Sequence, residues 1–348
     1  MPPNKQKNER KMRIILSKFG SYATIASLAF LMLASATNNK AVAQSAEAFS
    51  FLAISDMPYT AQEDYTLRQR TRPAVKTSKL PFVIFMGDFK NAKLPCSAAL
   101  MTRRRDQILG LHPGRVFYTP GDNDWTDCDR RQIRQRFSEL DRLDLLRRLF
   151  YSKPTDLPPE WLYARQSLFP ENMRWVYNNV LFATIHLVST NNGRDEILLD
   201  DVNLALTLTD ARDRANLIWL DSAFAEAARI DATAIVIATQ ADVTRHKYQA
   251  PCTTQVRQKC NAFAAISLRL RYLSAKYAKP VLLMHGDTNP YCLDKGFGGM
   301  AAPNLWRFNS TGDYGLIDAA VITVDPSNIP TPFHFTSLTE KSPPDHVC

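Results

Sequence analysis

Apolar residues along the chain gather into short, nearly unbroken runs: Phe49 to Ile54, Phe82 to Met86, Val116 to Tyr118, Val180 to Val188, Ala234 to Ala238 and Val281 to Met284. Runs of this length without alternating polar positions suit strands buried on both faces. Between them, apolar positions recur at helical spacing, as with Ile133, Phe137, Leu140 and Leu143 inside Arg131 to Phe150, and again in Leu217 to Ala228. Strands alternating with helices predict an α/β sheet structure covered on both sides. After Asn304 the pattern changes to shorter extended pieces, Tyr314 to Val324 and Pro332 to Leu338, separated by Gly312, Asp325, Pro326 and Pro330. These read as strands joined by turns. The stretch 125–175 is rich in Arg and Leu and ends in proline-punctuated loops, which makes it a candidate helical cap.

The N-terminal stretch departs from this pattern. Lys5, Lys7, Arg10, Lys11, Arg13 and Lys18 precede an apolar run from Tyr22 to Ala36, and Ala41-Val42-Ala43 follows. This is the layout of a secretory signal peptide over residues 1–43, cleaved after Ala43, and the apolar run is shorter than the roughly 20 residues a membrane-spanning helix needs. The expected mature chain, residues 44–348, is then a single domain, periplasmic or secreted, with no stable membrane span. Its loss of seven basic side chains and of Glu9 takes the formal charge from +9 to +3. So little net charge, with no long basic run beyond Arg103-Arg104-Arg105, argues against a nucleic-acid partner. All six cysteines lie in the mature part, and an even number in an oxidising compartment favours disulfides. Cys252 and Cys260 could close a short polar loop, but the sequence leaves the pairing open.

Four apolar runs finish alike: Ile54-Ser55-Asp56, Phe85-Met86-Gly87-Asp88, Thr119-Pro120-Gly121-Asp122-Asn123-Asp124 and Met284-His285-Gly286-Asp287-Thr288-Asn289. In open α/β sheets ligands bind beyond the carboxyl ends of strands, so these side chains are expected to converge. A single Gly-Asp after a strand is ordinary turn or cap chemistry. Repetition at four strand ends changes the reading, because close carboxylates repel one another unless a cation sits among them.

The order and spacing of these motifs resemble the calcineurin-like metallophosphoesterase family, over about residues 49 to 325. Asp56 matches that family's first Asp and Asp88 its bridging Asp. Gly121-Asp122-Asn123-Asp124 lies without gaps over GNHD, Gly286-Asp287-Thr288-Asn289 over GHTH, and Gln240 falls where an isolated His is expected. The resemblance implies an αββα fold, a β-sandwich flanked by helices, with a two-metal centre. It assigns Asp56, Asp88, Asp122, Gln240, Asp287 and Asn289 to metal binding and places Asn123 and Asp124 among the catalytic residues. Pro58, Asn123, Gln240, Asp287 and Asn289 stand where the family usually has histidine. The ligand set is therefore rich in oxygen and suits Mn, Mg or Ca better than Zn, with Fe also among the divalent ions considered.

The implied reaction is hydrolysis of a small phosphorylated substrate, a mono- or diester, by a hydroxide that two cations share. Asn123 cannot give up a proton at neutral pH, so an acid must come from elsewhere, and His285 is the nearest imidazole in sequence. His186 reads as a buried structural group, Ser189-Thr190-Asn191-Asn192 as a loop, and Trp125 and Tyr59 as packing residues. The alternative is a binding protein that keeps this fold after losing its histidine ligands. A third reading, adhesion to an anionic surface through Arg131 to Arg148, meets Glu139, Asp141 and Asp144 interleaved with the basic residues and so describes an ordinary salt-bridged helix.

Overall fold

A computed structural model describes residues 47–153 and 155–348. The export signal expected over residues 1–43 lies outside the described residues. The segment Ser45–Cys348 forms one compact unit, and no described helix is long and apolar enough to cross a membrane.

Two mixed sheets face each other. The first runs β12 (Phe333–Ser337), β11 (Ala320–Val324), β1 (Phe49–Ser55), β2 (Val83–Met86), β3 (Val116–Thr119). The second runs β4 (Ala164–Arg165), β5 (Met173–Tyr177), β6 (Val180–Thr184), β7 (Ala234–Ala238), β8 (Val281–His285), β10 (Leu305–Asn309), β9 (Cys292–Asp294). Strands β1, β2 and β3 are parallel to one another, as are β6, β7, β8 and β10. The site forms at the carboxyl ends of these parallel strands.

Period-two alternation divides each apolar run between two cores. Val180, Phe182, Val236, Leu282 and Met284 face the first sheet and join Phe51, Phe82, Ile84 and Phe117 between the layers. Leu181, Ala183, Ile235, Ile237 and Leu283 face outward and pack on α5 (Val202–Arg229) and α6 (Ala264–Tyr277). The outer face of the first sheet is covered by α1 (Ala61–Thr66), α2 (Arg72–Ser78), α3 (Ala98–Leu109) and α4 (Glu139–Phe150), through residues such as Val75, Met101, Ile108 and Leu146. The result is the α/β sandwich with helices on both sides that the sequence predicts.

Differences from the expected elements have local causes. The helix expected from Arg131 begins only at Glu139, because the Ser138 side chain accepts a hydrogen bond from Asp141 N and caps it there. The helix expected over Leu217 to Ala228 extends back to Val202, where Asp201 caps it by accepting from Leu204 N. Within 125–175, α4 packs beside α3, while Asp127 and Arg130 line the cleft described below. The cysteines pair as Cys96–Cys128, Cys252–Cys260 and Cys292–Cys348.

Candidate functional site

The strand-end residues do converge. Three of the four aspartates take left-handed backbone conformations, with φ of 50° at Asp56, 58° at Asp88 and 71° at Asp287. Each such position costs on the order of 1–3 kcal/mol for a non-glycine residue, and such strain concentrates at functional sites. The glycines before two of them are required by close approach: a Cβ at Gly121 would collide with Asp88 Oδ1, and one at Gly286 with Asp56 Oδ2. The Gly-Asp pattern is therefore a packing requirement between neighbouring loops as well as a turn signal.

Asp88 is the hub. Its Oδ1 accepts from Asn123 N at 3.1 Å, and its Oδ2 accepts from Asn123 Nδ2 at 2.7 Å, Tyr59 Oη at 3.1 Å and Gln240 Nε2 at 3.3 Å. The Tyr59 hydroxyl also meets Asp56 Oδ1 at 3.1 Å. A phenol has one proton, so two full hydrogen bonds require one of these carboxyls to be protonated and to donate to the phenol oxygen. Both carboxyls are pushed well above the ordinary range, first by burial and then by neighbouring carboxylates: Asp287 and Asp313 for Asp56, Asp122 and Asp56 for Asp88. On the other side, Gln240 Nε2 bridges Asp88 to Asp122 Oδ1 at 3.2 Å.

Asp122 Oδ2 and Asp127 Oδ1 share the Thr190 hydroxyl at 2.9 and 3.1 Å. Asp127 also pairs with Arg130 at 2.6 Å. Asp287 Oδ2 accepts from the Ser189 hydroxyl, and its carboxyl is raised to about 7 by burial and by Asp122. Asp124 has a different task. Its carboxylate accepts from the backbone N–H groups of Asp88, Phe89 and Gly121 and from the Tyr118 hydroxyl, so it fastens the Asp88 and Asp122 loops together. Burial raises it to about 6, against the lowering effect of those bonds.

Three expected residues are placed otherwise. Gln240 presents its amide N–H₂ to the aspartates, because its Oε1 accepts from Ser189 N at 3.0 Å; as oriented it offers a cation no oxygen. Asn289 turns toward the C-terminal segment, with Oδ1 on His346 Nε2 at 2.9 Å and Nδ2 on Cys292 Sγ. His285 is fully buried and donates from Nδ1 to Gly286 O at 2.7 Å. Burial holds it below its ordinary value and hence neutral, so it does not supply the missing acid. His186 is buried beside Trp125 and Glu171, as its sequence context predicts.

The aspartates border two adjoining cavities of about 290 and 310 Å³ that share Asp122, Arg130 and Asp287. Tyr59, Asn91, Asn123, Asp313 and Tyr314 complete one, and Ser189 to Asn191 and the exposed Arg245 line the other. No imidazole lines either cavity. The polar residues that the sequence reading assigns to packing or loops, Tyr59, Ser189 and Thr190, are central here. The signal for the last two was a run of small polar residues directly after β6. For Tyr59 the only signal was its place three residues after Asp56.

A two-metal centre does not fit this arrangement. The carboxylate oxygens that would face two cations sharing Asp88 are occupied by a phenol and a primary amide. Among the described residues no group of three or more His, Cys, Asp or Glu side chains is arranged to hold a metal ion.

No family model matches the chain, and no curated protein matches it in sequence. Among solved structures it is similar to PhoD, at 12% identity and a TM-score of 0.46, over 80% of this chain and 64% of that one. It is also similar to GAP50, the anchor in the inner membrane complex of Plasmodium, at 12% identity and a TM-score of 0.44, over 85% of this chain and 86% of that one. The chain thus spans less than two thirds of PhoD.

Proposed function

We propose that this protein is an exported, non-hydrolytic binding protein built on a phosphoesterase-type sandwich. One observation carries the reading: protein donors occupy the carboxylates to which the family resemblance assigns metals, and no imidazole lines the cleft. Three disulfides support export to an oxidising compartment.

The ligand follows from charge. Asp56, Asp88, Asp122, Asp127, Asp287 and Asp313 face the cleft, and Arg130 is already paired with Asp127 and Glu196. A phosphate entering without a cation would face this group of carboxyls, with the exposed Arg245 as the one further guanidinium among the described residues that line the cavities. The carboxyl groups of Asp313 and its neighbours are acceptors that line the same cavity as the ring of the exposed Tyr314. Acceptors next to an aromatic face suit a small ligand bearing an amine. Calorimetry with 1,4-diaminobutane should give saturable binding that Asp313→Asn weakens at least tenfold, and inorganic phosphate should give none. Binding of phosphate with no binding of the amine would reverse this assignment.

A second reading is metal-dependent hydrolysis of a small phosphorylated substrate. It is favoured by the convergence of Asp56, Asp88, Asp122 and Asp287 from four strand ends. It requires Tyr59 and Gln240 to swing away so that cations can enter. Metal-dependent turnover that Asp88→Ala abolishes would establish it.

A further inference from the structure

The contacts of Asp88 form a chain of five groups: Asp56, the Tyr59 hydroxyl, Asp88, the Gln240 amide and Asp122. Carboxyl groups from three strand ends alternate with a phenol and an amide; the amide can donate to both its neighbours, whereas the phenol donates to one and accepts from the other, protonated, carboxyl. A pair of cations sharing one aspartate would have the same connectivity. We infer that Tyr59 and Gln240 are built-in substitutes for two cations, positioning residues that hold the acidic loops together and keep divalent metal out. The inference rests on the non-hydrolytic reading and adds the cause of it.

Both donors are fixed independently of the aspartates. Gln240 is fully buried, and its Oε1 is held by Ser189 N. The only way to turn its oxygen toward Asp88 is to break that bond and leave a backbone N–H without a partner. Tyr59 is anchored through its backbone: its N–H donates to Glu63 Oε2 at 2.7 Å and its carbonyl accepts from Asn91 Nδ2 at 2.6 Å. Its ring lies 4.9 Å from that of Tyr314. The Gln240 amide is thus oriented by a bond outside the acidic group, and the Tyr59 ring is buried against Tyr314. Asn123 supplies a third donor to Asp88, which leaves no free lone pair on Oδ2 for a bridging ion.

The test uses the full chain and its Tyr59→Phe, Gln240→Leu and Tyr118→Phe variants. Melting temperature is measured with EDTA and with Mn²⁺ or Mg²⁺, and bound metal is measured by elemental analysis. The wild type should carry no stoichiometric metal and melt at the same temperature in all three conditions. Tyr59→Phe and Gln240→Leu should melt lower and regain part of the loss when Mn²⁺ is added, because each leaves a gap between carboxylates. Tyr118→Phe removes a hydroxyl of similar burial from Asp124; it should melt lower without any Mn²⁺ response.

Stoichiometric metal in the wild type, or a fall in its melting temperature with EDTA, would overturn the inference. So would variants that respond to Mn²⁺ no more than Tyr118→Phe does. Should a variant fail to fold, the wild-type metal measurement still decides. Wild-type metal without ester turnover defeats this inference and leaves the binding reading standing. Metal-dependent turnover defeats the binding reading itself.

Discussion

Asp124 accepts four hydrogen bonds from two loops and a tyrosine while fully buried. Asp124→Ala leaves all four donors without a partner, and the loss should reach about 3 kcal/mol or more in denaturant unfolding. Asp124→Asn, which retains acceptor capacity on one oxygen, should cost less. A loss below about 1 kcal/mol for the alanine variant would contradict this role. The residue scale is also where the sequence was most and least informative. Asp56, Asp88, Asp122 and Asp287 were legible because each ends an apolar run, and a strand end fixes where the next side chain goes. The roles of Gln240 and Asn289 were not legible. Which end of the Gln240 amide faces the aspartates is decided by Ser189 N, 51 residues away in sequence, and Asn289 is drawn off by His346. For Tyr59 the local sequence points to packing, since nothing near it in the chain shows that its hydroxyl lands between two carboxyls.

At the scale of elements, the loop after β3 is held from several directions. Cys128 joins it to Cys96 ahead of α3, and Asp129 Oδ2 accepts from Leu198 N and Leu199 N in the segment that borders the cleft. Closing a loop of 32 residues contributes roughly 3–4 kcal/mol by the chain-entropy relation. The double variant Cys96→Ala/Cys128→Ala should unfold at correspondingly lower denaturant and lose amine binding before it loses the sandwich. Glu139, at the start of α4, is buried near Asp129 and Asp200, and burial followed by their charges raises it to about 10. A carboxyl raised on folding stabilises most fully below its unfolded value of 4.5, and that contribution is lost as pH rises through the folded value. Melting temperature should therefore decline from pH 5 toward pH 10, and Glu139→Gln should flatten the decline and melt above wild type at pH 9. An unchanged slope in that variant would remove Glu139 as the cause. The sequence put a helix here but started it at Arg131; apolar spacing alone does not mark where Ser138 caps it.

For the whole molecule, the sandwich and its two helical coats were readable because β1, β2, β3, β6, β7 and β8 are apolar runs, and burial on both faces leaves few alternatives to an α/β layer structure; β10, which carries Arg307 and Asn309, did not stand out. The chemistry of the cleft was not readable to the same depth, since it depends on which donors reach the aspartates from other strand ends. The fold brings the acidic residues together whether they hold cations or protein donors, so fold and function separate at this point. Hydrolysis of an aryl phosphomonoester and an aryl phosphodiester by the purified chain, with Mn²⁺, Mg²⁺ or Zn²⁺ added in turn, tests the central claim most directly. The expected result is no turnover above buffer with any metal, in wild type and in Asp88→Ala alike. Metal-dependent turnover by the wild type that disappears in Asp88→Ala would contradict it.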